Sequence, residues 1–253
     1  MKFMKKIIAI LMASFCVVMC SGAHNDTNCA PEYTVSVLQD GQWNQAWVYQ
    51  ALVSDYDNHE QIWDDWDNSK ALRDTMAIAL FEDEFAGPVT VRVHNSESFR
   101  KCVVRPTNLG IQPQRVDEHT IEFTLPSFDV RKVSVEFDGN RQENLFVVGN
   151  RKDADKPAAD APNVLYFGPG EHEMGEMEIG DNQTVYVDFG AVLYANFVVS
   201  GSNVRFAGNG IITGKKMKHW GNTQYACGDV LFEVGPAGKE YIENFTVENL
   251  TFI

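Results

Sequence analysis

The stretch that decides the fold runs from residue 184 to residue 213 and reads TVYVDFGAVLYANFVVSGSNVRFAGNGIIT. Short apolar segments alternate in it with corners made of Gly, Asn and Ser. Gly and Asn adopt the left-handed backbone conformation more readily than other residues, so they suit sharp changes of strand direction. Segments this short bury their apolar side chains only when successive turns of the chain stack on each other. The pattern therefore predicts a parallel β-solenoid.

The same alternation extends beyond this stretch in both directions. Apolar segments occur at Val164–Phe167, Val230–Phe232 and Phe245–Val247, and the last residues, Phe252-Ile253, lie within another. A solenoid needs several stacked coils and a cap. An open edge after Ile253 would leave backbone groups unpaired. We therefore expect residues 164–253 to form the first coils of a longer solenoid, truncated at Ile253.

Residues 30–150 show a different pattern, in which apolar and polar residues alternate with a period of two. The alternation is clearest at Tyr33–Leu38, Val89–Val93, Thr120–Leu125 and Lys132–Phe137. Asp40-Gly41 is a hairpin signal. Short strands at close spacing predict an antiparallel β-sandwich for this domain. Between Asp64 and Leu80, both a helical turn and an irregular loop stay open.

Residues 151–163 are polar and rich in Pro and Ala, which predicts a linker between the two domains. At the other end, residues 1–23 have the features of an export signal. Met1–Lys6 is basic, Ile7–Met19 is apolar but too short to cross a bilayer, and small residues follow. We expect a secreted, periplasmic or cell-surface protein. Lipid attachment at Cys20 is the alternative to simple cleavage.

The overall charge limits the classes of partner. The chain carries a formal net charge of −14 at pH 7. A surface this acidic repels phosphate backbones, which argues against nucleic-acid binding. It also disfavours a polyanionic substrate unless the cleft is locally basic, whereas a neutral glucan meets no such repulsion. No Cys/His spacing in the sequence suggests a zinc site.

Four motifs follow each other in the solenoid region in an order found in known enzymes. They are Val164–His172 with its central Gly-Pro-Gly, Asn182–Val187, Gly190–Ala195 and Asn203–Gly214. Together they resemble the beginning of the right-handed parallel β-helix, the pectin-lyase-like solenoid, of polysaccharide hydrolases. The motifs are similar to those of the polygalacturonases of glycoside hydrolase family 28. They are also similar to those of the dextranase/isopullulanase group of glycoside hydrolase family 49. That group has an N-terminal β-sandwich as well, and residues 33–150 resemble it.

The resemblance implies inverting hydrolysis of O-glycosyl bonds by aspartates on later coils. Inversion needs a carboxylic acid and a carboxylate base roughly 6.5–9.5 Å apart. No catalytic residue is assigned within residues 1–253, because the family's positions would follow Ile253, so we expect this chain alone to be inactive. The resemblance implies no metal or organic cofactor. An α-glucan such as dextran is the favoured substrate, with a galacturonan hydrolase and a non-catalytic carbohydrate-binding solenoid as alternatives.

The candidate substrate-binding residues are His219 and Trp220. They follow the cations Lys215, Lys216 and Lys218 in a loop that leaves a predicted solenoid strand. Such a loop would project beside the groove of a β-helix, where the two rings could contact a sugar. If the lysines face the same groove, they favour an acidic sugar chain instead.

Other candidates have simpler interpretations. Trp43, Trp47, Trp63 and Trp66 could form a sugar-stacking platform, although tryptophans of a small sandwich are more often in its core. The acidic stretch 55–67 lacks the Gly of a calcium loop. The solenoid carboxylates Asp181, Asp188 and Asp229 fit turn capping better than catalysis. Asn25, Asn182, Asn244 and Asn249 begin glycosylation triplets, but asparagines at solenoid corners more naturally bond to neighbouring coils.

Overall fold

The computed structural model describes residues 32–52, 75–84, 87–126, 131–141, 144–214, 231–235 and 241–253. Within these ranges the secondary structure consists of nineteen strands and one 3-10 helix, Thr107–Leu109. Ten strands form the first domain: β1 Tyr33–Gln39, β2 Gln42–Gln45, β3 Trp47–Leu52, β4 Thr75–Asp83, β5 Val89–Asn95, β6 Cys102–Arg105, β7 Gln114–Arg115, β8 Thr120–Leu125, β9 Lys132–Phe137 and β10 Leu145–Arg151. The residues that the structure describes contain no helix long and apolar enough to cross a bilayer.

Nine further strands form the second domain. They are β11 Val164–Phe167, β12 Gly170–Ile179, β13 Thr184–Val187, β14 Ala191–Val199, β15 Val204–Ala207, β16 Ile211–Thr213, β17 Phe232–Val234, β18 Phe245–Val247 and β19 Thr251–Phe252. All of their pairings are parallel. The predicted all-β fold, a sandwich followed by a parallel solenoid, is confirmed.

The first domain is a sandwich of two five-stranded sheets. The outer sheet has the order β2-β1-β5-β8-β7, and the inner sheet, which faces the second domain, has the order β3-β4-β10-β9-β6. Every pairing is antiparallel except β4 with β10, which is parallel. The expectation of a purely antiparallel sandwich was therefore wrong at one pair. Side-chain alternation does not encode strand direction, so this parallel pair was not predictable from the pattern.

The sandwich core follows the period-two pattern. Val35 and Val37 on β1 and Val91 and Val93 on β5 are almost fully buried, and the residues between them point outward. Burial of each such side chain contributes about 1.5–3 kcal/mol. The hairpin between β1 and β2 turns at Asp40-Gly41, with φ of 50° and 75°. These positive φ angles match the twist of the flanking strands, which confirms the predicted turn.

Strand β4 is an element that the sequence did not distinguish from a loop. Its residues 75–80 fall inside the segment left open between a helical turn and an irregular loop; residues 64–74 lie outside the described part. Ala77 and Ala79 face the sandwich core, whereas Ile78 and Leu80 pack toward the second domain. A strand that is buried on both faces loses the alternation by which strands are recognised.

The second domain is a coil of two parallel sheets. One contains β11, β13, β15 and β18 in that order, and the other contains β12, β14, β16 and β19. Equivalent corners such as Asn182 and Asn203 are 21 residues apart. In the third coil the long strand is split, because β14 pairs with β16 along its first half and with β17 along its second half. The segment inserted between them begins after Gly214.

The solenoid interior is filled with aromatic rings. Neighbouring rings lie with centroids 4.8–6.0 Å apart, mostly edge to face. The set comprises Phe197, Phe206, Phe232 and Phe245, and Phe252, which is 41% exposed, meets Phe232 edge to face. Edge-to-face contacts of this kind add stability beyond that of burial alone. Stacked rings therefore hold one coil against the next.

One corner of the solenoid is built from an asparagine ladder. Asn182, Asn203 and Asn244 have φ near 60° and stack in successive coils. The Asn244 amide donates to Oδ1 of Asn203 at 2.8 Å, and the Asn203 amide donates to Oδ1 of Asn182 at 3.1 Å. Short polar side chains tolerate this backbone conformation and satisfy one another. The prediction that corner asparagines bond to neighbouring coils is confirmed for Asn182 and Asn244.

The two domains pack through an apolar interface. It joins the inner sheet to β14 and β16 and contains Tyr49, Ala51, Ile78, Leu80, Val192, Tyr194 and Ile211. At its edge Asn209 donates to Oε1 of Glu82 at 2.7 Å, and Asn150 donates to the carbonyl oxygen of Asn249 at 3.0 Å. The contacts follow an order: β3 meets β14, the end of β4 meets the corner before β16, and the end of β10 meets the corner before β19. The neighbouring strands β3, β4 and β10 of the inner sheet therefore contact successive coils of the solenoid in the same order.

The predicted linker, residues 151–163, connects the two domains along the first solenoid sheet. Its first residue, Arg151, ends β10. Lys152 pairs with Glu84 of the sandwich at 3.0 Å, and Lys156 pairs with Asp188 of the solenoid at 2.7 Å. The segment therefore contacts both domains. The boundaries assigned to the export signal, sandwich, linker and solenoid stay predictions.

Candidate functional site

The loop that contains His219 and Trp220 lies outside the described residues, as do its three lysines. Its two points of attachment are described. Gly214 follows β16, whose Thr213 pairs with Tyr194, and Leu231 precedes β17, whose Phe232 pairs with Phe197. The loop therefore leaves and re-enters the solenoid beside the middle of β14. The assignment of His219 and Trp220 to a sugar subsite stays a prediction.

Strand β12 pairs with the other edge of β14, opposite β16 and β17, and sequence reasoning did not identify it. It is the edge strand of its sheet, and most of its side chains are exposed. Its glutamates include Glu171, which accepts a hydrogen bond from the Tyr194 hydroxyl at 3.3 Å, and Glu176, which accepts one from the Asn196 amide at 3.4 Å. Charged side chains on an edge strand discourage pairing with another chain.

The solenoid carboxylates are engaged in structural contacts. Asp188 accepts hydrogen bonds from the Tyr166 hydroxyl at 2.6 Å, from Lys156 Nζ at 2.7 Å and from the Phe189 amide at 2.9 Å. Burial by itself raises the pKa of Asp188, but the hydrogen bonds from Lys156 and Tyr166 outweigh it and lower the pKa below its usual value. A carboxylate held this way stabilises its ionised form and caps the corner.

Of the other two candidate aspartates, Asp181 and Asp229, the structure describes only Asp181. Asp181 accepts a hydrogen bond from the Ser202 amide at 2.7 Å, which joins two successive corners. Asp229 lies outside the described residues. Turn capping, favoured from the sequence, thus matches the contacts of both described aspartates.

A second ion-pair group lies near Asp188 on the outside of the first solenoid sheet. Arg205 pairs with Glu248 at 2.5 Å and with Asp153 of the connecting segment at 3.4 Å. Tyr186 stacks on Tyr166 with centroids 5.4 Å apart and is almost fully buried. Burial, followed by the charge of Asp153, raises the pKa of the Tyr186 hydroxyl. Arg205 and Lys156 thus fasten the connecting segment to the first solenoid sheet.

The structure does not bring together the two tryptophans that it describes, so they do not form the shared platform that was the alternative to core positions. Trp47 lies at the interface between the domains, where its ring meets Phe189 edge to face with centroids 5.7 Å apart. Trp43 lies on β2 of the outer sheet and is 38% exposed. Because they belong to different sheets, they do not form one surface. Trp63 and Trp66 lie outside the described residues, as does the acidic stretch 55–67.

Trp43 has neighbours that sequence reasoning did not identify. The guanidinium carbon of Arg92 lies 4.1 Å from the centroid of the Trp43 ring. Arg92 also donates to Oε1 of Glu122 through Nε at 2.7 Å. Trp43, Arg92 and Glu122 belong to three strands far apart in sequence, so only the pairing register brings them together. A strand pattern with Trp and Arg at outward positions was the one available signal.

A shallow groove of about 540 Å³ lies on the exposed part of the inner sheet. It is lined by β6, β9 and β10, with Arg105 and Lys132 beside the apolar side chains Phe146 and Val148. Arg105 is already paired with Glu136 at 2.5 Å, and this bond raises the pKa of Arg105.

Among the described residues, no group of three or more His, Cys, Asp or Glu side chains is placed to hold a metal ion.

Comparison with known proteins gives two findings. The family described as "Glycosyl hydrolase family 49 N-terminal Ig-like domain" matches residues 23–164. Among solved structures, Dex49A from Penicillium minioluteum is similar, with a TM-score of 0.65 and 18% sequence identity over 88% of this chain and 54% of that chain. At this identity the likeness concerns the fold.

These matches cover most of the chain and part of the relative. The chain spans about half the length of the Dex49A chain, 54% of it. A search of curated proteins gave no match. The family match includes the whole sandwich, and the structural match extends over the solenoid as well. The chain therefore belongs to the family defined by the glycosyl hydrolase family 49 N-terminal Ig-like domain.

Proposed function

We propose that this chain is the N-terminal part of an exported polysaccharide endo-hydrolase that acts on an α-glucan such as dextran. The observation that carries the proposal is the match of residues 23–164 to the glycosyl hydrolase family 49 N-terminal domain. The similar fold of Dex49A, whose name contains that family's number, supports it. The net charge of −14 also favours a neutral polymer over a polyanion.

The proposed chemistry is inverting hydrolysis. One carboxylic acid protonates the leaving glycosidic oxygen while a carboxylate base activates a water molecule on the opposite face of the sugar. The described solenoid aspartates, Asp181 and Asp188, hold corners and the connecting segment instead. We therefore propose that the catalytic pair lies in a part of the family fold that this chain does not cover, since the chain spans 54% of the Dex49A chain, and that no metal or cofactor enters this reaction.

The loop with His219 and Trp220 is assigned to a rim subsite. Its two points of attachment, after β16 and before β17, support this role, because both strands pair with β14 and so keep the two ends of the loop at one solenoid sheet. Export through the signal at residues 1–23, with or without lipid attachment at Cys20, would bring the enzyme to a polymer too large to enter the cell.

The direct test is to read the coding sequence past Ile253 and to assay its full product on dextran and on polygalacturonate. We expect closely spaced aspartates on adjacent coils and new reducing ends from dextran. Release from polygalacturonate alone would replace the glucan by a galacturonan. Binding without release from either polymer, and no such aspartates, would leave a non-catalytic carbohydrate-binding solenoid.

A matched pair of variants tests the rim subsite. His219→Ala and Trp220→Ala in the full product should raise KM for dextran several-fold and leave kcat nearly unchanged, because a rim contact binds ground state and transition state alike. Tyr241→Ala, which removes an exposed ring elsewhere on the solenoid, serves as the control. Unchanged KM in both loop variants would contradict the assignment.

A further inference from the structure

The outer sheet of the sandwich presents a wide polar face away from the solenoid. The inner sheet packs against the coils, so the outward side of β2-β1-β5-β8-β7 has no neighbour among the described residues. The strand registers arrange its side chains in rows. One row crosses all five strands and consists of Gln45, Ser36, Arg92, Glu122 and Gln114.

A second row runs beside the first. It consists of Trp43, Leu38, Thr90 and Thr124. The two rows meet where Arg92 stacks on Trp43. At about 4.8 Å between strands, the longer row extends roughly 19 Å, enough for several sugar residues. We call these two rows the Trp43 face.

The centre of the Trp43 face is held by contacts between its side chains. Arg92 is held from one side by the indole ring, 4.1 Å from its guanidinium carbon, and from the other by Glu122, 2.6 Å from its terminal nitrogen. The stack also fixes the ring of Trp43, which is 38% exposed. An exposed aromatic surface beside fixed planar hydrogen-bonding groups suits a sugar, which has apolar C–H faces and hydroxyl edges.

The charge of the Trp43 face indicates which kind of sugar chain it fits. The Arg92 cation is neutralised by Glu122, and the remaining members of both rows are uncharged. No unpaired cation is therefore available there for carboxylate or sulfate groups. The net charge of −14 would repel a polyanion further. A neutral chain meets neither obstacle.

We propose that the Trp43 face is a second carbohydrate-binding site, which holds a neutral polysaccharide chain at a distance from the solenoid. The site rests on the proposed function and deepens it, because it would keep the polymer attached to the enzyme between cleavage events. One sugar ring packs on Trp43, and the Gln, Arg and Glu side chains of the longer row bond to the hydroxyls of its neighbours.

The test is affinity electrophoresis of the purified chain in gels that contain dextran, polygalacturonate or no polymer. Wild-type protein should be retarded by dextran. Trp43→Ala should weaken that retardation about tenfold, and Trp43→Phe should restore most of it. Tyr241→Ala removes a ring that is 73% exposed on the solenoid, so it should behave as wild type. Circular dichroism checks that each variant is folded.

The outcomes separate this site from the proposed hydrolase. Equal retardation of wild type and Trp43→Ala by dextran would overturn the Trp43 face, as would no retardation by dextran or stronger retardation by polygalacturonate. Failure of the full coding product to cleave any polysaccharide would overturn the hydrolase, whatever the gels show. Normal cleavage of short soluble oligosaccharides by the Trp43→Ala full product, with weaker binding to polymer, is the result expected if both proposals are right.

Discussion

At the residue scale, Gly208 is the position with the least room for a side chain at a strained backbone angle. Its φ is 119°, and a Cβ there would lie 2.0 Å from the carbonyl oxygen of Val187 in the preceding coil. Backbone cannot move aside as a flexible side chain can. The close approach of two coils therefore requires glycine at this corner.

We expect Gly208→Ala to lower the free energy of unfolding by about 3 kcal/mol or more, because strain and a backbone clash add. Urea denaturation followed by circular dichroism measures this. Gly87→Ala is the matched control, since Gly87 has no atom within 4 Å of the added Cβ, and its effect should be within about 0.5 kcal/mol. Similar losses in the two variants would contradict the corner geometry.

Asp188 links stability to pH. Because its folded pKa is below its ordinary value of 3.8, its contribution is complete above that value and is lost as the pH falls through the folded pKa. Asp188→Asn should therefore destabilise the chain by about 1–2 kcal/mol at pH 7. The difference from wild type should shrink as the pH falls below 3.8.

Denaturation at several pH values measures this difference, with Asp160→Asn, an exposed aspartate of the connecting segment, as the control. A difference that stays constant from pH 7 to pH 3 would mean that the charge of Asp188 does not contribute to stability.

Sequence reasoning found the capping role of Asp188, because Asp before Phe-Gly is typical of a corner. It did not find Tyr166 and Lys156, since their positions depend on the stacking of coils.

At the scale of elements, the asparagine ladder holds one corner of three coils together. Asn203 is its central member, donating to one neighbour and accepting from the other. Asn203→Ala removes both bonds and leaves alanine in a left-handed conformation that it tolerates less well than asparagine, so it should cost about 1–3 kcal/mol. Asn203→Gly removes the same bonds but tolerates that conformation, so it should cost about 1 kcal/mol less.

Thermal denaturation of the two variants against wild type measures this difference. Equal effects would show that backbone conformation plays no part at this corner.

The ladder was predictable from sequence because Gly and Asn mark solenoid corners directly. Strands β4 and β12 were not, for opposite reasons: β4 is buried on both faces, and β12 is an edge strand with mostly exposed polar side chains. Neither therefore shows the alternation of a half-buried strand.

At the scale of the whole molecule, the two domains are held by an apolar interface with stacked strands and coils. Leu80 lies within it and is almost fully buried. Leu80→Glu would bury a charge between the domains. We expect the single unfolding transition of the wild type to separate into two, one for each domain.

Differential scanning calorimetry detects this separation. Val103→Glu, at an exposed position of the same sheet, should leave one transition. Two transitions already in the wild type would contradict a tight interface. The sequence did not predict it: Trp47, Tyr49 and Leu80 resemble ordinary strand residues, and nothing local distinguishes a side chain that faces a second domain from one that faces its own core.

The most direct measurement of the proposed function is a proton NMR time course of dextran with the product of the full coding sequence. An inverting hydrolase acting on α-linkages produces β-anomeric reducing ends first, which then equilibrate with the α-anomer. We expect the β-anomer signal to appear first. An α-anomer signal that appears first would contradict inversion, and no new anomeric signal at all would contradict the assignment of this chain to a dextran-cleaving enzyme.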